Sequence, residues 1–242
     1  MGSDRATSRR RLALAVLCLA SFMAAADSTI VSIALPAMRQ ELGFSGADAQ
    51  WVLNGYALAF GGLLLVCGRA DDLYGRRLLF LVGLGPFGAV SLLGGFAQSP
   101  GVLVLARFLQ GAAAAAFVPA SLSLLTAIFA EGEERNRAIG AYGTMAALGF
   151  VVSMVGGGVI TELFGWRWVL FVNDPVALAA LLAAPAAIPE SRISGPPPSL
   201  DGLGALTATA GLTATISTPS PNCQREARPP RPPSSPPPSA SR

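Results

Sequence analysis

The sequence predicts an all-α membrane protein whose chain crosses the bilayer six times. Of its 242 residues, 52% are hydrophobic and 13% are charged, whereas about 25% of the residues in a typical soluble domain are charged. The mean hydropathy is +0.54. The few charges separate six stretches that are each long enough to cross a bilayer as a helix. Together these observations argue against a soluble globular domain and against a largely disordered chain.

The six stretches satisfy the length that a bilayer demands, which is about 20 mostly apolar residues per helix. Charges inside them are rare: Asp27 lies in the first, Arg107 near the start of the fourth, and Asp174 in the sixth. Six apolar helices of this length in succession are not soluble architecture. The predicted spans are 12–36, 50–68, 78–97, 102–128, 138–160 and 169–188.

Arginines indicate on which side of the membrane each connection lies. With a cytoplasmic N-terminus, ten arginines fall in the N-terminal segment and the inside connections, and only Arg39 and Arg167 fall outside. Cytoplasmic connections carry such an excess of basic residues. Trp51, Trp166 and Trp168 fall at the outer ends of spans, where aromatic residues gather at the interface. We therefore expect a multi-pass protein of the cell (cytoplasmic) membrane with its N-terminus in the cytoplasm.

Composition divides the chain into four segments. An Arg-rich cytoplasmic N-terminus covers 1–11, the six-helix bundle covers 12–190, a linker with an incomplete seventh span covers 191–218, and a Pro/Arg/Ser-rich tail covers 219–242. Nine of the last 24 residues are proline, so we expect the tail to be disordered. A hydrophobic stretch that gives way to such a tail suggests a truncated or frame-shifted reading frame. A genuine short seventh segment is the alternative.

The residue types present argue against most enzyme chemistry. The chain has no histidine, which removes His-based acid–base catalysis, Ser-His-Asp triads and histidine metal ligands. Cys18, Cys67 and Cys223 share no metal-ligand or redox spacing. The arginines lie between apolar runs, with no basic patch among aromatic residues, which argues against nucleic acid. We expect neither an enzyme nor a metal or cofactor site.

Two ionisable residues at membrane depth are the candidate functional residues, because a charge inside the bilayer is costly and marks function by default. Asp27 lies nine residues before Pro36, at the outer end of the first span, and Arg107 lies about five residues into the fourth. At about 1.5 Å per residue, both lie in the outer half of the bilayer at similar depths. Gln110 shares a helix face with Arg107. An N-cap role for Asp27 and a snorkelling arginine at 107 are the alternatives.

A short charged connection follows the second span and reads Gly68-Arg-Ala-Asp-Asp-Leu-Tyr-Gly-Arg-Arg77. It resembles the signature loop of the major facilitator superfamily, which has a glycine, an aspartate four residues later, and then Gly-Arg-Arg. A short solvated turn is the alternative interpretation. The matching positions are Gly68, Asp72, Gly75, Arg76 and Arg77.

Three further motifs occur in the order that this family has. The stretch Asp27 to Pro36 resembles the first-helix motif of the drug:proton antiporter branch with fourteen helices. The stretch Leu103 to Gly111 resembles the fourth-helix motif, whose arginine is linked to proton coupling. Trp166-Arg-Trp168 and Asn173-Asp-Pro175 resemble the start of helix six. The resemblance covers about residues 10–212 and implies the N-terminal six-helix half of a major facilitator fold, apparently truncated.

The fifth helix departs from the family pattern. The chain lacks the Gly-Pro that antiporters usually carry two residues before a Gly-Gly pair, here Gly157 and Gly158. Gly149, Ser153 and Gly157 still form a stripe of small residues at i, i+4 and i+8, which we expect, together with Gly158, to pack closely against another helix. In helix six, Asp174 stands where the family has an apolar residue, and we interpret it as an N-cap.

The resemblance implies proton-coupled export of small amphipathic compounds or drugs. Asp27 would carry or relay the proton, Arg107 would stabilise its deprotonated form or gate its access, and Gln110 lies beside them. A low dielectric favours the protonated form of a carboxyl group, which suits a group that takes up and releases protons. The charged connection, through Asp72 and the two arginines after Gly75, would latch the two halves on the cytoplasmic side.

The implied partners are protons, a small-molecule substrate, the lipid bilayer, and either a missing C-terminal half or a second copy of this chain. The alternative is a fragment with no transport activity of its own. A site at the membrane midplane needs walls from both halves of this fold. We therefore expect the isolated half not to transport, and to expose Asp27 and Arg107 to lipid or water.

Overall fold

The structure is a computed structural model, and it describes residues 2–188 apart from the side chains of residues 2–6, 47 and 72. Within that part the regular structure is entirely α-helical, which confirms the predicted fold class. The predicted linker, incomplete seventh span and tail of 191–242 lie outside the described residues. The helices are α1 (Gly2–Leu42), α2 (Gly46–Tyr74), α3 (Arg76–Gly95), α4 (Pro100–Ile128), α5 (Glu133–Phe164), α6 (Arg167–Phe171) and α7 (Asn173–Ala187).

Six spans within the described residues are long and apolar enough to cross a membrane. The helices α1 to α5 supply one span each, and α6 and α7 together supply the sixth, Arg167–Ala187. Several helices run past the predicted ends of the spans: α1 ends at Leu42 rather than residue 36, and α2 begins at Gly46 rather than residue 50. Hydropathy marks the boundary of the hydrocarbon, whereas a helix continues into the interface because its backbone bonds are satisfied internally.

The two ends of α2 show why the chain turns where it does. Ser45 and Asp48 form a capping box, in which Ser45 Oγ accepts from the Asp48 N–H at 3.2 Å and Asp48 Oδ2 accepts from the Ser45 N–H at 3.3 Å. At the other end Gly75 has φ 98°, a conformation that side chains rarely adopt. This single residue joins α2 to α3. The charged connection predicted as a loop is therefore the end of one helix and the start of the next.

Helices α1 and α4 lie at the centre of the bundle. The helix α1 packs mainly on α5 and also on α7 and α4, whereas α4 packs on α2 and α3. One buried apolar cluster includes Leu17 and Phe117, and Phe117 meets Phe87 edge to face with ring centroids 5.4 Å apart. A second cluster includes Met38 and Leu170. The centre of the bundle is thus filled by side chains rather than open to solvent.

One predicted interfacial tryptophan is in fact buried. Trp51 and Trp168 are 45% and 54% exposed, as expected for aromatic residues at a membrane interface, but Trp166 is 2% exposed. It packs in the second apolar cluster, and its indole N–H donates to Glu41 Oε2 at 2.7 Å. Arg167 pairs with the same carboxylate. Trp166 therefore faces the bundle rather than lipid, because these contacts hold the start of α6 against the end of α1.

Small residues allow α5 to approach α1 closely. A Cβ atom added at Gly149 would lie 2.4 Å from the carbonyl oxygen of Phe22, and one added at Gly157 would lie 2.8 Å from Ile30 Cγ1. Ser153, between these glycines, is also buried. Gly158 is different, because an added Cβ would meet nothing within 4 Å. Gly158 therefore does not face α1, since adjacent helical residues point about 100° apart, and its packing against another helix stays a prediction.

We expect Gly149→Ala to lower the midpoint of thermal unfolding of the detergent-solubilised chain. The added methyl group would overlap the α1 backbone, and overpacking of this kind costs about 1–3 kcal/mol. Gly156→Ala is the matched control on the same helix, because a Cβ there meets nothing within 4 Å. Its midpoint should stay the same or rise slightly, since alanine favours the helix. Equal midpoints for the two variants would contradict the close α1–α5 contact.

The sixth span consists of two helices, α6 and α7, that are separated by one residue. Val172, which joins them, keeps helical angles of φ −62° and ψ −22°. The helix α7 begins at Asn173, so Asp174 is its second residue, and no side chain caps it. The predicted N-cap role of Asp174 is wrong because a side-chain cap requires an extended residue before the helix. Asp174 instead lies in the first turn, where the helix dipole favours an acidic side chain.

Candidate functional site

The candidate site is a buried ion pair that joins α1 to α4. Arg107 Nη1 donates to Asp27 Oδ2 at 2.7 Å. The two side chains are 1% and 0% exposed, respectively. They are 80 positions apart in the chain, and they meet because both lie at a similar depth along packed, neighbouring helices. The sequence identified both residues, and the structure places them in direct contact.

The expectation that an isolated half would expose these charges to lipid or water is wrong. Both side chains are enclosed by the described helices themselves. The physical reason is that α1 is central and packs against α4 and α7 as well as α5. Hydropathy gives the depth of a residue along a helix, but it does not show which neighbouring helix the residue faces. The six-helix half therefore satisfies this ion pair without another chain.

Gln110 lies beside the ion pair, as the sequence predicts. Its Oε1 accepts from Arg107 Nη1 at 2.9 Å, and its side chain is fully buried. Its Nε2 is buried without a hydrogen-bond partner among the described residues. A buried donor without a partner costs about 1–3 kcal/mol. Such a group in a native structure calls for an explanation, and a functional role is one of the accepted explanations.

The rest of the arginine head contacts α2. Arg107 Nε donates to the carbonyl oxygen of Val52 at 3.4 Å, and the guanidinium carbon lies 4.4 Å from the ring centroid of Tyr56. A guanidinium over an aromatic face gains a cation–π attraction. Arg107 thus contacts residues of α1, of α2 and of its own helix, α4.

Two residues of the site were not predicted from the sequence. Asn173, at the start of α7, donates from Nδ2 to Asp27 Oδ1 at 2.7 Å and to Ser91 Oγ at 3.1 Å. Ser91, in α3, donates in turn to the carbonyl oxygen of Leu170 at 2.9 Å. Both Asn173 and Ser91 are buried. Each carboxylate oxygen of Asp27 therefore receives a hydrogen bond from a different helix.

The sequence held a signal for one of these residues only. Asn173 belongs to the motif at the start of the sixth span, although nothing in that motif indicates which side chain it contacts. Ser91 is one polar residue within an uncharged run, a position where serine is common and carries no functional pattern. Their partnership depends on the rotation of α3 and α7 about their own axes, which hydropathy does not determine.

The residues of the predicted cytoplasmic gating loop lie at the junction of α2 and α3. Gly68 and the backbone of Asp72 are in α2, Gly75 is the connection, and Arg76 and Arg77 begin α3. Arg76 Nη1 donates to the carbonyl oxygen of Ser123 in α4 at 3.1 Å. The side chain of Asp72 lies outside the described part of the structure. The structure thus brings these residues together, at the opposite end of α2 from the ion pair.

The buried network is a carboxylate paired with a guanidinium and braced by an amide. Asp27 is a carboxyl group with two fixed donors, and Arg107 is its counter-ion. Taking two charges out of water is tolerable only when they are paired and their remaining polar atoms are hydrogen-bonded. In residues 2–188, no group of three or more His, Cys, Asp or Glu side chains is placed to hold a metal ion.

Comparison with known proteins finds relatives over most of the chain. The family model described as Major Facilitator Superfamily matches residues 17–221. A puromycin resistance protein of Streptomyces alboniger is 47% identical over 208 residues, which are 86% of this chain and 41% of that protein. A cephamycin export protein of Amycolatopsis lactamdurans is 43% identical over 218 residues, which are 88% of this chain and 44% of that protein. This chain thus spans less than half the length of these relatives.

The fold has a counterpart among solved structures. A peptide transporter solved in complex with sulfate superposes with a TM-score of 0.68 over 84% of this chain and 44% of that protein, at 13% sequence identity. The likeness at this identity concerns the fold alone.

A lincomycin resistance protein of Streptomyces lincolnensis is 40% identical over 213 residues, which are 86% of this chain and 43% of that protein.

Proposed function

The chain belongs to the major facilitator superfamily of membrane transporters, and from that membership we propose that it forms half of a proton-coupled exporter of small amphipathic compounds. Relatives are named for puromycin resistance, cephamycin export and lincomycin resistance. These names support export of small antibiotic-like molecules. We propose proton coupling from the geometry of one site.

The observation that carries the proposal is the buried carboxyl group of Asp27. Arg107 and Asn173 each donate a hydrogen bond of 2.7 Å to one of its two oxygens. The chain has no histidine that could carry the proton instead. Protonation of Asp27 would remove the negative charge that faces Arg107. The guanidinium would then keep only Gln110, the Val52 carbonyl and the Tyr56 ring. One bound proton thus changes how α1 is held against α4 and α7.

Alternating access supplies the link between this change and transport. In this kind of fold, two repeats rock against one another around a site near the midplane. We assign the α2–α3 junction, with Asp72, Arg76 and Arg77, to a latch between the halves on the cytoplasmic side. The one-residue connection at Gly75 and the Arg76 bond to α4 support this assignment, because they hold the start of α3 beside both α2 and α4.

The experiment is a chimaera in which residues 1–190 of this chain replace the corresponding part of the puromycin resistance protein. Inverted membrane vesicles carrying it should accumulate puromycin when a pH gradient is imposed, and a protonophore should abolish the accumulation. Vesicles without the chimaera are the control. Accumulation that survives the protonophore would contradict proton coupling, and no accumulation by a stably inserted chimaera would contradict export.

The second wall of the transport site is the other part of the proposal. We propose that it comes from a C-terminal half or from a second copy of this chain. The 242-residue chain should therefore show no gradient-driven transport of puromycin in liposomes when cross-linking shows it to be monomeric. Transport by a proven monomer would contradict the need for a second half. Transport by a cross-linked dimer alone would favour self-association.

The orientation of the chain gives a direct prediction. Because ten of twelve arginines in the N-terminal segment and connections fall on one side, we place the N-terminus in the cytoplasm. Reporter fusions at Gly46, Ser99 and Gly165 should give an extracytoplasmic signal. Fusions at Tyr74 and Glu133 should give a cytoplasmic one. A cytoplasmic signal at Ser99 would contradict this topology.

A further inference from the structure

A second acidic side chain lies at membrane depth, outside the Asp27 network. Asp174 lines a groove of about 280 Å³ between α3 and α7. It is seven residues into the sixth span, or about 10 Å from the Arg167 end at 1.5 Å per residue. Its neighbour Asn173 contacts Asp27, whereas adjacent helical residues point about 100° apart. Asp174 therefore faces a different surface of α7 from the one that contacts the buried ion pair.

The groove is apolar except for this one carboxyl group. Leu84, Gly88 and Ala177 are buried and form its floor, while Leu92 and Leu178 at its rim are 43% and 55% exposed. Asp174 is the one ionisable side chain among the residues that line it. Its Oδ2 atom is buried and has no hydrogen-bond partner within residues 2–188.

The position of Asp174 in the first turn of α7 does not account for that oxygen. The helix dipole makes an acidic residue acceptable there, but it leaves Oδ2 buried without a donor. A carboxyl group at membrane depth is costly unless it is paired. Oδ2 of Asp174 thus lacks a hydrogen-bond donor, and a cationic donor would complement the charge of the carboxylate.

We propose that this groove binds a small amphiphile with an ammonium head and one apolar body. The ammonium group would lie against Asp174, and the body would lie between α3 and α7. A cation also favours the ionised form of the carboxyl group that it faces. Pockets for small ligands usually measure about 300–1,000 Å³, so a groove of 280 Å³ suits a single benzyl group or short alkyl chain.

A metal ion fits the groove less well than an ammonium group. Calcium takes six to eight oxygen ligands, and Asp174 supplies the one carboxylate here. An anion would face a carboxylate in an apolar surrounding with no basic side chain among the lining residues. The inference does not rest on proton coupling by Asp27, because it concerns a separate surface and equilibrium binding alone.

The test is calorimetric titration of the purified 242-residue chain in non-ionic detergent. The probes are benzyltrimethylammonium and phenylmethanesulfonate, which share a benzyl body and carry opposite charges. We expect the cation to bind and the anion not to bind. Asp174→Asn, which keeps the shape of the side chain, should weaken binding of the cation at least tenfold, and Asp174→Val should do the same.

Filling the groove provides a second, independent variant. A Cβ atom at Gly85, which lines the groove, meets nothing within 4 Å, so Gly85→Phe should occupy the space without disturbing the helix contacts. It should abolish binding of the cation. Gly156→Phe is the matched control, because a Cβ there also meets nothing within 4 Å and the residue lies on α5. Size-exclusion profiles identify any variant that fails to fold.

Three results would overturn the proposal. The first is equal binding of the cation by the natural chain and the Asp174→Asn chain. The second is binding of phenylmethanesulfonate as tight as that of the cation. The third is loss of binding in Gly156→Phe together with Gly85→Phe, which would place the ligand elsewhere.

Discussion

Arg107→Leu should leave little of the chain folded. The substitution removes the counter-ion of Asp27, whose side chain is 0% exposed, and leaves a carboxylate buried in the bundle. Breaking a buried ion pair by removing one partner costs about 3–5 kcal/mol. The measurement is the fraction of protein recovered as a single size-exclusion peak in detergent, together with the midpoint of thermal unfolding.

Two further variants separate the lost charge from the lost side chain. The double variant Asp27→Asn with Arg107→Leu removes both charges, so it should recover much of the yield that Arg107→Leu loses. Arg137→Leu is the matched control, because Arg137 pairs with Glu133 at 2.6 Å where both side chains are about four-fifths exposed. Exposed pairs of this kind contribute little to stability. An Arg107→Leu protein as stable as Arg137→Leu would contradict the buried pair.

Asp27→Asn should abolish puromycin accumulation driven by a pH gradient in the chimaera described above. An amide does not take up and release a proton in the physiological range, so the carrier of the proton would be lost. The loss should reach the level of vesicles without the chimaera. The measurement is the initial rate of accumulation in inverted vesicles, normalised to the amount of inserted protein.

The control for Asp27→Asn is Glu162→Gln, because Glu162 is an exposed carboxyl group on α5. The rate should be unchanged in that variant. Asn at position 27 also has one acceptor oxygen where Asp27 uses two, so Arg107 or Asn173 would lose its partner. A lower thermal midpoint is therefore expected alongside the loss of transport. Full gradient-driven accumulation by Asp27→Asn would exclude Asp27 as the proton carrier.

The sequence alone predicted the helices and the depth of the two charges, because both follow from hydropathy and from the rise of a helix per residue. The contact between Asp27 and Arg107 was therefore within reach, since only one acid and one arginine share that depth in the first and fourth spans. The burial of the pair could not be predicted in this way. Burial depends on how α1 and α4 are rotated about their own axes. Hydropathy does not give this rotation, because both helices carry apolar residues on every side.

The rotation of each helix about its axis also explains the other differences between the sequence predictions and the structure. Gly158 lies next to Gly157 in sequence but about 100° away on α5, so a glycine pair gives no indication of which member touches α1. Asn173 and Ser91 join the network through the rotation of α7 and α3. Asp174 was expected to cap α7, and only the backbone angles of Val172 show that the helix needs no cap there.

The long sequence separation within the Asp27 network has a consequence during synthesis of the protein. Asp27 precedes Arg107 by 80 residues and Asn173 by 146 residues. At roughly 5–20 residues per second, the ribosome takes about 4–16 s to add the arginine after the aspartate and about 7–29 s to add the asparagine. Until Arg107 has been added, α1 carries a carboxyl group with neither of its native partners, and until Asn173 has been added it lacks one of them. A carboxyl group in an inserted helix costs about 2.5–3.5 kcal/mol, so we expect α1 to settle fully into lipid only after α4 has been made.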